Sequence, residues 1–250
     1  MGCAASYDRR AQKVARAMVK LLKASGVSFA IMQEERCHGE FARRMGEEYL
    51  FQTAAQENLD NFAQYSFKRI LTACPHCFNT LAREYPAFEG FNYSVISHTV
   101  WLNEMIQSGK LPRPSATLGS TAYHDPCYLA RMNGIVDAPR NVLKSVSGDL
   151  RLPAETGTRT FCCGAGGGQM WSEGNVAKTV NVIRLKDLRA TGASQVAVAC
   201  PHCLTMLESA KSLDKSASET AIKDVAELVL EALESQSLPV SYTHLRAHET

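Results

Sequence analysis

The sequence predicts an α/β protein built from two similar domains in tandem, each with a small, mostly parallel sheet flanked by helices. Two observations predict this fold: cysteine motifs recur about 125 residues apart, and strand-length apolar runs alternate with amphipathic helix patterns. Such alternation is typical of parallel sheets, because parallel strands need a long crossover connection. We expect the first domain at residues 1–110 and the second at residues 120–236.

In the first half, the predicted helices have apolar residues at three-to-four spacing and cover residues 11–24, 40–65 and 98–106. An apolar run at 27–31 follows the first helix, which Gly26 closes. The predicted strands are the short apolar runs at 69–73 and 93–96. The first of these strands ends at Cys74-Pro75-His76-Cys77, and its proline is suited to a first helical turn. This segment therefore predicts a strand-to-helix turn.

The second half repeats this order. Helices are predicted at 173–190 and 224–233, and a strand at 195–199 ends at Cys200-Pro201-His202-Cys203. Between the halves, two prolines interrupt both periodicities and indicate a linker at residues 111–119. Residues 237–250 have no continuing apolar pattern and resemble translated vector or adapter sequence, so we exclude this tail from the fold.

Composition excludes several functional classes. The chain has 250 residues and a formal net charge of +2, which provides no single-sign field to attract nucleic acid. No uninterrupted apolar run approaches the roughly 18 residues of a membrane-spanning helix. The start, Met1-Gly2-Cys3, lacks the features of a secretory signal. We therefore expect a cytoplasmic protein that neither binds nucleic acid nor inserts into a membrane.

The nine cysteines fall into two runs with the same order and spacing. The first run is Cys3, Cys37, Cys74 and Cys77, and the second is Cys127, Cys162, Cys163, Cys200 and Cys203. Counterparts such as Cys3 and Cys127 lie 124 to 126 residues apart, and His38 stands where the second half has Cys163. An odd number of cysteines without a secretory signal does not suit a disulfide framework. The register instead indicates a duplicated set of ligands.

Thiolates are soft ligands that suit iron–sulfur clusters and zinc. Two cysteines at i and i+3 across a strand-to-helix turn place both sulfurs on one side of the backbone. Distant cysteines at other strand ends converge on such a pair, because parallel α/β folds collect their carboxyl-terminal loops along one edge of the sheet. We expect four sulfurs from three loops in each half.

With these motifs the chain resembles a known family. The pattern of Cys, about 35 residues, Cys-Cys-Gly, about 35 residues and Cys-x-x-Cys is similar to the CCG, or cysteine-rich, domain. This domain occurs in heterodisulfide reductase and in iron–sulfur subunits of glycolate, lactate and glycerol-3-phosphate oxidation. The segments at 37–44, 48–52, 74–80, 124–129 and 161–164 look more closely like the iron–sulfur proteins that accompany electron-transfer flavoprotein and acyl-CoA dehydrogenase systems.

The resemblance implies a [4Fe-4S] cluster in the second half, of the ordinary or the non-cubane type, on Cys127, Cys162, Cys163, Cys200 and Cys203. The first half departs from the pattern at His38 and keeps four cysteines, which suits an ordinary cluster or a tetrahedral zinc site. The occupant of this first site stays open between iron–sulfur, zinc and nothing. We interpret His38 as a neighbouring hydrogen-bonding residue rather than a fifth ligand.

The implied function is that of an iron–sulfur electron-transfer subunit, or a fragment of one, in an oxidoreductase. It would relay electrons between a flavoprotein and a quinone- or disulfide-reducing module. Family members carry a membrane cytochrome-like module and a ferredoxin-like module before the CCG pair. Neither is in this sequence, so we expect a carboxy-terminal fragment, held at the cytoplasmic membrane face by a partner or by a missing module. Disulfide reduction at the five-cysteine site and a zinc-binding structural module are the two competing functions.

Three other interpretations of the motifs are weaker. Thiol–disulfide exchange needs only one Cys-Pro-His-Cys pair, and it leaves the five cysteines outside the two such pairs unexplained. Met1-Gly2-Cys3 also fits a lipidation signal, but Cys3 has a repeat partner. The glycines at 164–168 do not form a phosphate-binding loop, and a close backbone approach to a cluster explains them better.

Several polar residues flank the predicted ligands. His76 and His202 either tune the potential or accept protons, or are simply solvated. His124 and Asp125 are predicted to support Cys127. The nearby Arg43 and Arg44 either balance cluster charge or face solvent. By contrast, His98 is interpreted as structural, because its repeat counterpart is the helix-capping residue Asp224.

Overall fold

Two parallel sheets form the centre of the molecule. The computed structural model describes residues 2–114, 118–172 and 175–235. A two-stranded sheet pairs β1 (Arg69–Thr72) with β2 (Ser94–Ser97). A four-stranded sheet has the order β4-β3-β5-β6, and its strands are β3 (Ser120–Tyr123), β4 (Asp149–Arg151), β5 (Gln195–Val198) and β6 (Ala221–Asp224). All pairings are parallel, so the predicted α/β class with parallel sheets is confirmed.

Helices flank both sheets. In the first half they are α1 (Cys3–Tyr7), α2 (Ala11–Ala24), α3 (Glu40–Arg44), α4 (Glu48–Ala63), α5 (Pro75–Asn79) and α6 (His98–Gln107). In the second half they are α7 (Cys127–Ala130), α8 (Asp137–Val146), α9 (Asn175–Ala190), α10 (Pro201–Leu213) and α11 (Val225–Glu234). Both predicted strand-to-helix turns are present, because α5 and α10 begin at the proline after Cys74 and Cys200.

One predicted helix is divided in the structure, and one apolar run of strand length forms no strand. The helix predicted at 40–65 is divided into α3 and α4, and between them Gly46 has a φ of 90°, which a continuous helix does not permit. The apolar run at 27–31 forms no strand, and Ile31 is 47% exposed. In the second half, β4 pairs with β3 alone. The described first half has no counterpart of β3, so the run has no strand to pair with.

The main hydrophobic core contains residues of both halves. It joins Leu21 of α2 and Leu102 of α6 to Leu143, Leu207 and Leu228 of the second half. A smaller core lies within the first half, between α4 and the segment at 81–95. In addition, α2 packs against α10 and α11.

The division into domains at 1–110 and 120–236 stays a prediction. Within the predicted linker, Leu111 is fully buried and belongs to the main core. Residues 115–117 of that linker and the tail at 237–250 lie outside the described residues. Among the described residues, no helix combines the length and the apolar character needed to cross a membrane.

Candidate functional site

Matching cysteine loops of the two halves have matching local structures. Helices α1 and α7 begin at Cys3 and Cys127. Cys74 and Cys200 have extended backbones and precede the first turns of α5 and α10, shortly after β1 and β5. The duplication seen in the sequence therefore extends to the way each cysteine is positioned.

The turns that follow Cys37 and Cys162 each direct a backbone N–H at a sulfur. The Gly39 nitrogen lies 3.5 Å from Cys37 Sγ, and the Gly164 nitrogen lies 3.2 Å from Cys162 Sγ. Both glycines have positive φ angles, 79° and 88°, which residues with a side chain rarely adopt. The glycine in Cys-x-Gly is thus what allows the N–H to reach the sulfur.

In the second half the five predicted ligands form one connected group of thiols. The sulfurs of Cys163 and Cys203 are 3.3 Å apart. Cys162 is hydrogen bonded to Cys127 and to Cys163, and Cys203 to Cys163 and Cys200. Three of the five, Cys163, Cys200 and Cys203, are buried.

In the first half the four predicted ligands form two neighbouring pairs. Cys3 is hydrogen bonded to Cys37, and Cys74 to Cys77. The two pairs are adjacent, because Cys3 and Cys37 of one pair and Cys77 of the other line the same small cavity. Together the loops form a second site beside the first.

His38 occupies the position of Cys163 in the first half. It is buried, and its ring meets Tyr85 edge-on, with the centroids 6.3 Å apart. It also lines a cavity of about 20 Å³ together with Cys3, Cys37 and Cys77. Burial lowers the pKa of His38 to about 4, so the imidazole is neutral at pH 7.

Cys37 and Cys162, which match in the repeat, both have a lowered pKa. A hydrogen bond from Cys3 lowers the pKa of Cys37 to about 6. Hydrogen bonds from Cys127 and then Cys163 lower the pKa of Cys162 to about 2. The thiolate is the form that binds metal. At this position of the repeat, each half therefore has a thiol that loses its proton readily.

The two thiol groups meet at the Cys-Pro-His-Cys turns. Cys74 is hydrogen bonded to Cys200, its own repeat counterpart, and this contact is the largest influence that lowers the pKa of Cys74. His202 is also hydrogen bonded to Cys74. The rings of His76 and His202 are perpendicular, with centroids 5.1 Å apart. The two groups of thiols are therefore in contact through cysteine side chains.

Aromatic rings of both halves close this junction. His76 stacks on Tyr128 at 4.0 Å and on Phe41 at 5.6 Å, and its Nδ1 lies 3.2 Å from a Glu40 carboxylate oxygen. Both predicted turn histidines are 4% to 5% exposed. The solvated interpretation of His76 and His202 is therefore wrong, because both rings are packed between the halves.

Three more of the flanking polar residues have carboxylate side chains as partners. Arg43 and Arg44 both form ion pairs with Glu84, so their charges are already balanced by a carboxylate. His98 Nε2 lies 3.1 Å from an oxygen of Asp224, and both residues are buried. The structural interpretation of His98 is thus consistent with its position between the halves, where its partner is a carboxylate.

His124 supports a different cysteine from the one predicted. Its Nε2 lies 3.3 Å from Cys203 Sγ rather than beside Cys127, because the ring points across the sheet from the end of β3 toward α10. Asp125 turns away and accepts hydrogen bonds from Arg140, Thr156 and the backbone of Gly157. It orders the loop before the Cys162-Cys163 turn.

Arg184 is a site residue that the sequence does not predict. It lies on α9, is fully buried, and its Nε is 3.0 Å from His124 Nδ1. A single arginine within a helix-forming stretch has no spacing signal, so only its burial distinguishes it. His124, Cys163 and Cys203 together place three ligand atoms within 4.8 Å of one another.

Comparisons with known proteins agree with this geometry. The model of the CCG cysteine-rich domain family matches residues 1–82 and 121–208, one segment in each half. The chain is 41% identical over 242 residues to the "EtfAB:quinone oxidoreductase" of Syntrophomonas wolfei, and 40% identical over 236 residues to the "Probable iron-sulfur-binding oxidoreductase FadF" of Bacillus subtilis. It is 32% identical over 240 residues to a dihydromethanophenazine:CoB–CoM heterodisulfide reductase chain of Methanosarcina barkeri.

Each of these alignments covers 93% of this chain but 34%, 33% and 58% of the respective relative. The chain therefore spans about a third of the first two relatives and just over half of the third. The family match covers both halves and includes each repeated set of cysteine loops. The chain belongs to the CCG cysteine-rich domain family.

Proposed function

We propose that the chain is the iron–sulfur electron-transfer part of an oxidoreductase, with a [4Fe-4S] cluster in each half. Cys127, Cys162, Cys163, Cys200 and Cys203 would hold one cluster, and Cys3, Cys37, Cys74 and Cys77 the other. The observation that carries this proposal is the contact between Cys74 and Cys200, which joins two thiol groups of the same design. Cys74 and Cys200 would then connect the two clusters through ligand side chains.

The residues present suit such clusters. Thiols supply every ligand, and backbone N–H groups of Gly39 and Gly164 point at cysteine sulfurs. Fe–S clusters prefer thiolate ligands, and hydrogen bonds to sulfur are among the features that set their potentials. When bound, the clusters would supply one-electron transfer, while the chain positions them and excludes water from the junction.

We further propose a flavoprotein of the electron-transfer type as one partner. Support comes from the relative named EtfAB:quinone oxidoreductase, which matches over 93% of this chain. A quinone- or disulfide-reducing module is the proposed second partner, joined through a ferredoxin-like module and a membrane module outside this sequence. The chain would then work at the cytoplasmic face of a membrane.

Disulfide reduction at the five-cysteine site is the second candidate. Two observations favour it: the second half has the complete five-thiol group, and a relative at 32% identity is named as part of a heterodisulfide reductase. A loaded protein that exchanges electrons with reduced flavoprotein but leaves disulfides intact would reject this candidate.

Metal analysis tests the main proposal. The chain is purified without oxygen and reconstituted, and iron, sulfide and zinc per chain are measured together with EPR spectra of both redox states. We expect about eight irons per chain, as two [4Fe-4S] clusters require. About four irons would assign zinc or nothing to the first half. Iron near zero, with stoichiometric zinc and no chromophore, would replace electron transfer by a structural zinc function.

A further inference from the structure

A buried histidine lies between an arginine and a predicted cluster ligand. His124 is fully buried at the end of β3. Arg184 donates from Nε to His124 Nδ1 over 3.0 Å, and on the other side of the ring His124 Nε2 lies 3.3 Å from Cys203 Sγ. The imidazole therefore connects a cation to a sulfur inside the core.

Hydrogen-bond chemistry determines where the imidazole proton lies. A guanidinium has only donors, so His124 Nδ1 has to accept and cannot carry a proton. A neutral imidazole with an unprotonated Nδ1 carries its proton on Nε2. The Nε2–H then faces Cys203 Sγ, and the 3.3 Å contact is an N–H to sulfur hydrogen bond.

The same arrangement argues against the other role of which His124 is capable, which is to bind a metal ion through Nε2. Its Nε2 lies within 4.8 Å of the sulfurs of both Cys163 and Cys203, a grouping that could hold a metal ion. Ligation through Nε2 would need a free lone pair there and a proton on Nδ1. That proton would face the Nε–H of Arg184, and two N–H donors cannot form a hydrogen bond with each other.

Arg184 is itself firmly held. Its Nη1 donates to the Glu155 carbonyl oxygen over 3.1 Å, and its Nη2 lies 3.4 Å from Thr160 Oγ1. The hydroxyl of Thr160 in turn donates to the Asp125 backbone oxygen over 2.9 Å. A guanidinium fixed at two of its nitrogens cannot turn away to release His124.

We propose that Arg184 is a positioning residue that keeps His124 in the Nε2–H form, so that His124 donates to the ligand Cys203 and does not bind the cluster. The tautomer follows from the chain alone, whereas the effect on a cluster rests on the proposed function. A donor to a ligand sulfur stabilises the reduced, more negative cluster and raises its potential.

The first test determines the tautomer and does not depend on iron. Histidine nitrogens are labelled with ¹⁵N, and long-range ¹H–¹⁵N NMR spectra are recorded on the full chain. The His124 signals are assigned by their loss in His124→Gln. We expect a protonated Nε2 and an unprotonated Nδ1. A proton on Nδ1 would overturn the proposal. The tautomer is measured on the unchanged sequence, and His124→Gln serves only to assign the signals.

The second test uses the iron-loaded chain. His124→Leu removes the donor and should lower the reduction potential of the second-half cluster by about 59 mV, a roughly tenfold change for one electron. In contrast, His124→Gln places an amide N–H near the Nε2 position and should restore most of that shift. His98→Gln, a change at a buried histidine whose Nε2 contacts Asp224 rather than a cysteine, is the control and should leave the potential unchanged.

The outcomes separate this proposal from the proposed function. An unchanged potential in His124→Leu would overturn the donor role. A strongly coupled ¹⁵N in the pulsed EPR spectrum, lost in His124→Gln, would show ligation instead and overturn it as well. A chain that takes up no iron would reject the proposed function, while the NMR result would still decide the tautomer.

Discussion

Gly39 shows how closely a single residue is matched to the site. Its φ is 79°, its N–H points at Cys37 Sγ, and an added Cβ would lie 2.9 Å from the Phe51 side chain and 3.3 Å from the Phe51 Cα. The main-chain atom cannot move aside as a flexible side chain would. Gly46 has a similar φ of 90° but open space around it.

This pair of glycines supports a matched prediction. Gly46→Ala should lower the free energy of unfolding by about 1–2 kcal/mol, because only the left-handed backbone is strained. Gly39→Ala has the same strain plus the clash with Phe51, and overpacking adds about 1–3 kcal/mol. Urea unfolding of the full chain measures both. Equal losses would contradict the close approach of Phe51.

The cysteines of the two halves give a prediction at the level of ligands. Cys37→Ser and Cys162→Ser each remove a thiol with a lowered pKa, one from each half. Each variant should lose about half of the iron after reconstitution, because each half has its own thiol group. Iron analysis and EPR measure the loss, and the two variants are each other's controls. Loss of all iron from either one would contradict two separate clusters.

The ligands are predictable from the sequence, whereas their supporting residues are predictable only in part. The register of Cys74 and Cys200 indicates two equivalent sites, and both cysteines lie at equivalent turns. The sequence predicts that His124 supports a cysteine, but it points to the wrong cysteine of the same half. The direction of a side chain depends on tertiary packing, which spacing does not specify. For the same reason Arg184 gives no signal.

At the scale of single elements, the equivalent helices α6 and α11 contact each other across the halves at their amino-terminal ends. Asp224 caps α11 by accepting from the Ala226 N–H over 2.9 Å, and Glu227 completes a capping box. The same carboxylate contacts His98, the first residue of α6. On α6 the cap is Ser97, which accepts from the Val100 N–H over 3.4 Å. Asp224 therefore both caps α11 and connects the two halves through His98.

Substitutions at the two caps should differ in effect. Ser97→Ala removes a cap and should cost about 1 kcal/mol. Asp224→Ala removes a cap and also leaves the buried His98 without its carboxylate, so the expected loss is about 2–4 kcal/mol. Asp224→Asn keeps a cap oxygen and should lie between them. Chemical denaturation ranks the three. A loss for Asp224→Ala no larger than that for Ser97→Ala would show that the contact with His98 contributes nothing.

Element boundaries illustrate what periodicity can and cannot predict. The strand before each Cys-Pro-His-Cys turn and the helix after it are predicted by the sequence and are confirmed. The break between α3 and α4 is not predicted, because apolar spacing continues across it and only Gly46 interrupts the pattern. The run at 27–31 is apolar enough for a strand, but a strand also needs a neighbour with which to pair.

At the scale of the whole molecule, the halves share their main core. Helix α2 of the first half packs on α10 and α11 of the second, and Arg10 just before α2 forms two hydrogen bonds with Glu227, at 2.7 and 2.8 Å. The sequence identifies the apolar face of α2 but not the element that covers it, because any apolar surface of suitable shape can do so. The junction of the two thiol groups follows from this shared packing.

A shared core predicts that both halves unfold together. Leu21 of α2 is fully buried in the core that also contains Trp101, whereas Leu50 of α4 is 56% exposed. Leu21→Ala should lower the free energy of unfolding by about 2–5 kcal/mol, and Leu50→Ala by no more than about 0.5 kcal/mol. Of the two tryptophans, Trp101 is 3% exposed and Trp171 is 65% exposed, so the fluorescence change on unfolding reports mainly on Trp101 in the core, while far-UV circular dichroism reports on helices of both halves. If the halves are one cooperative unit, both signals shift by the same amount in Leu21→Ala and give coincident transitions.

Two separate transitions, of which Leu21→Ala moves only one, would instead support independent domains at 1–110 and 120–236. The contact between Cys74 and Cys200 would then join two independently stable domains.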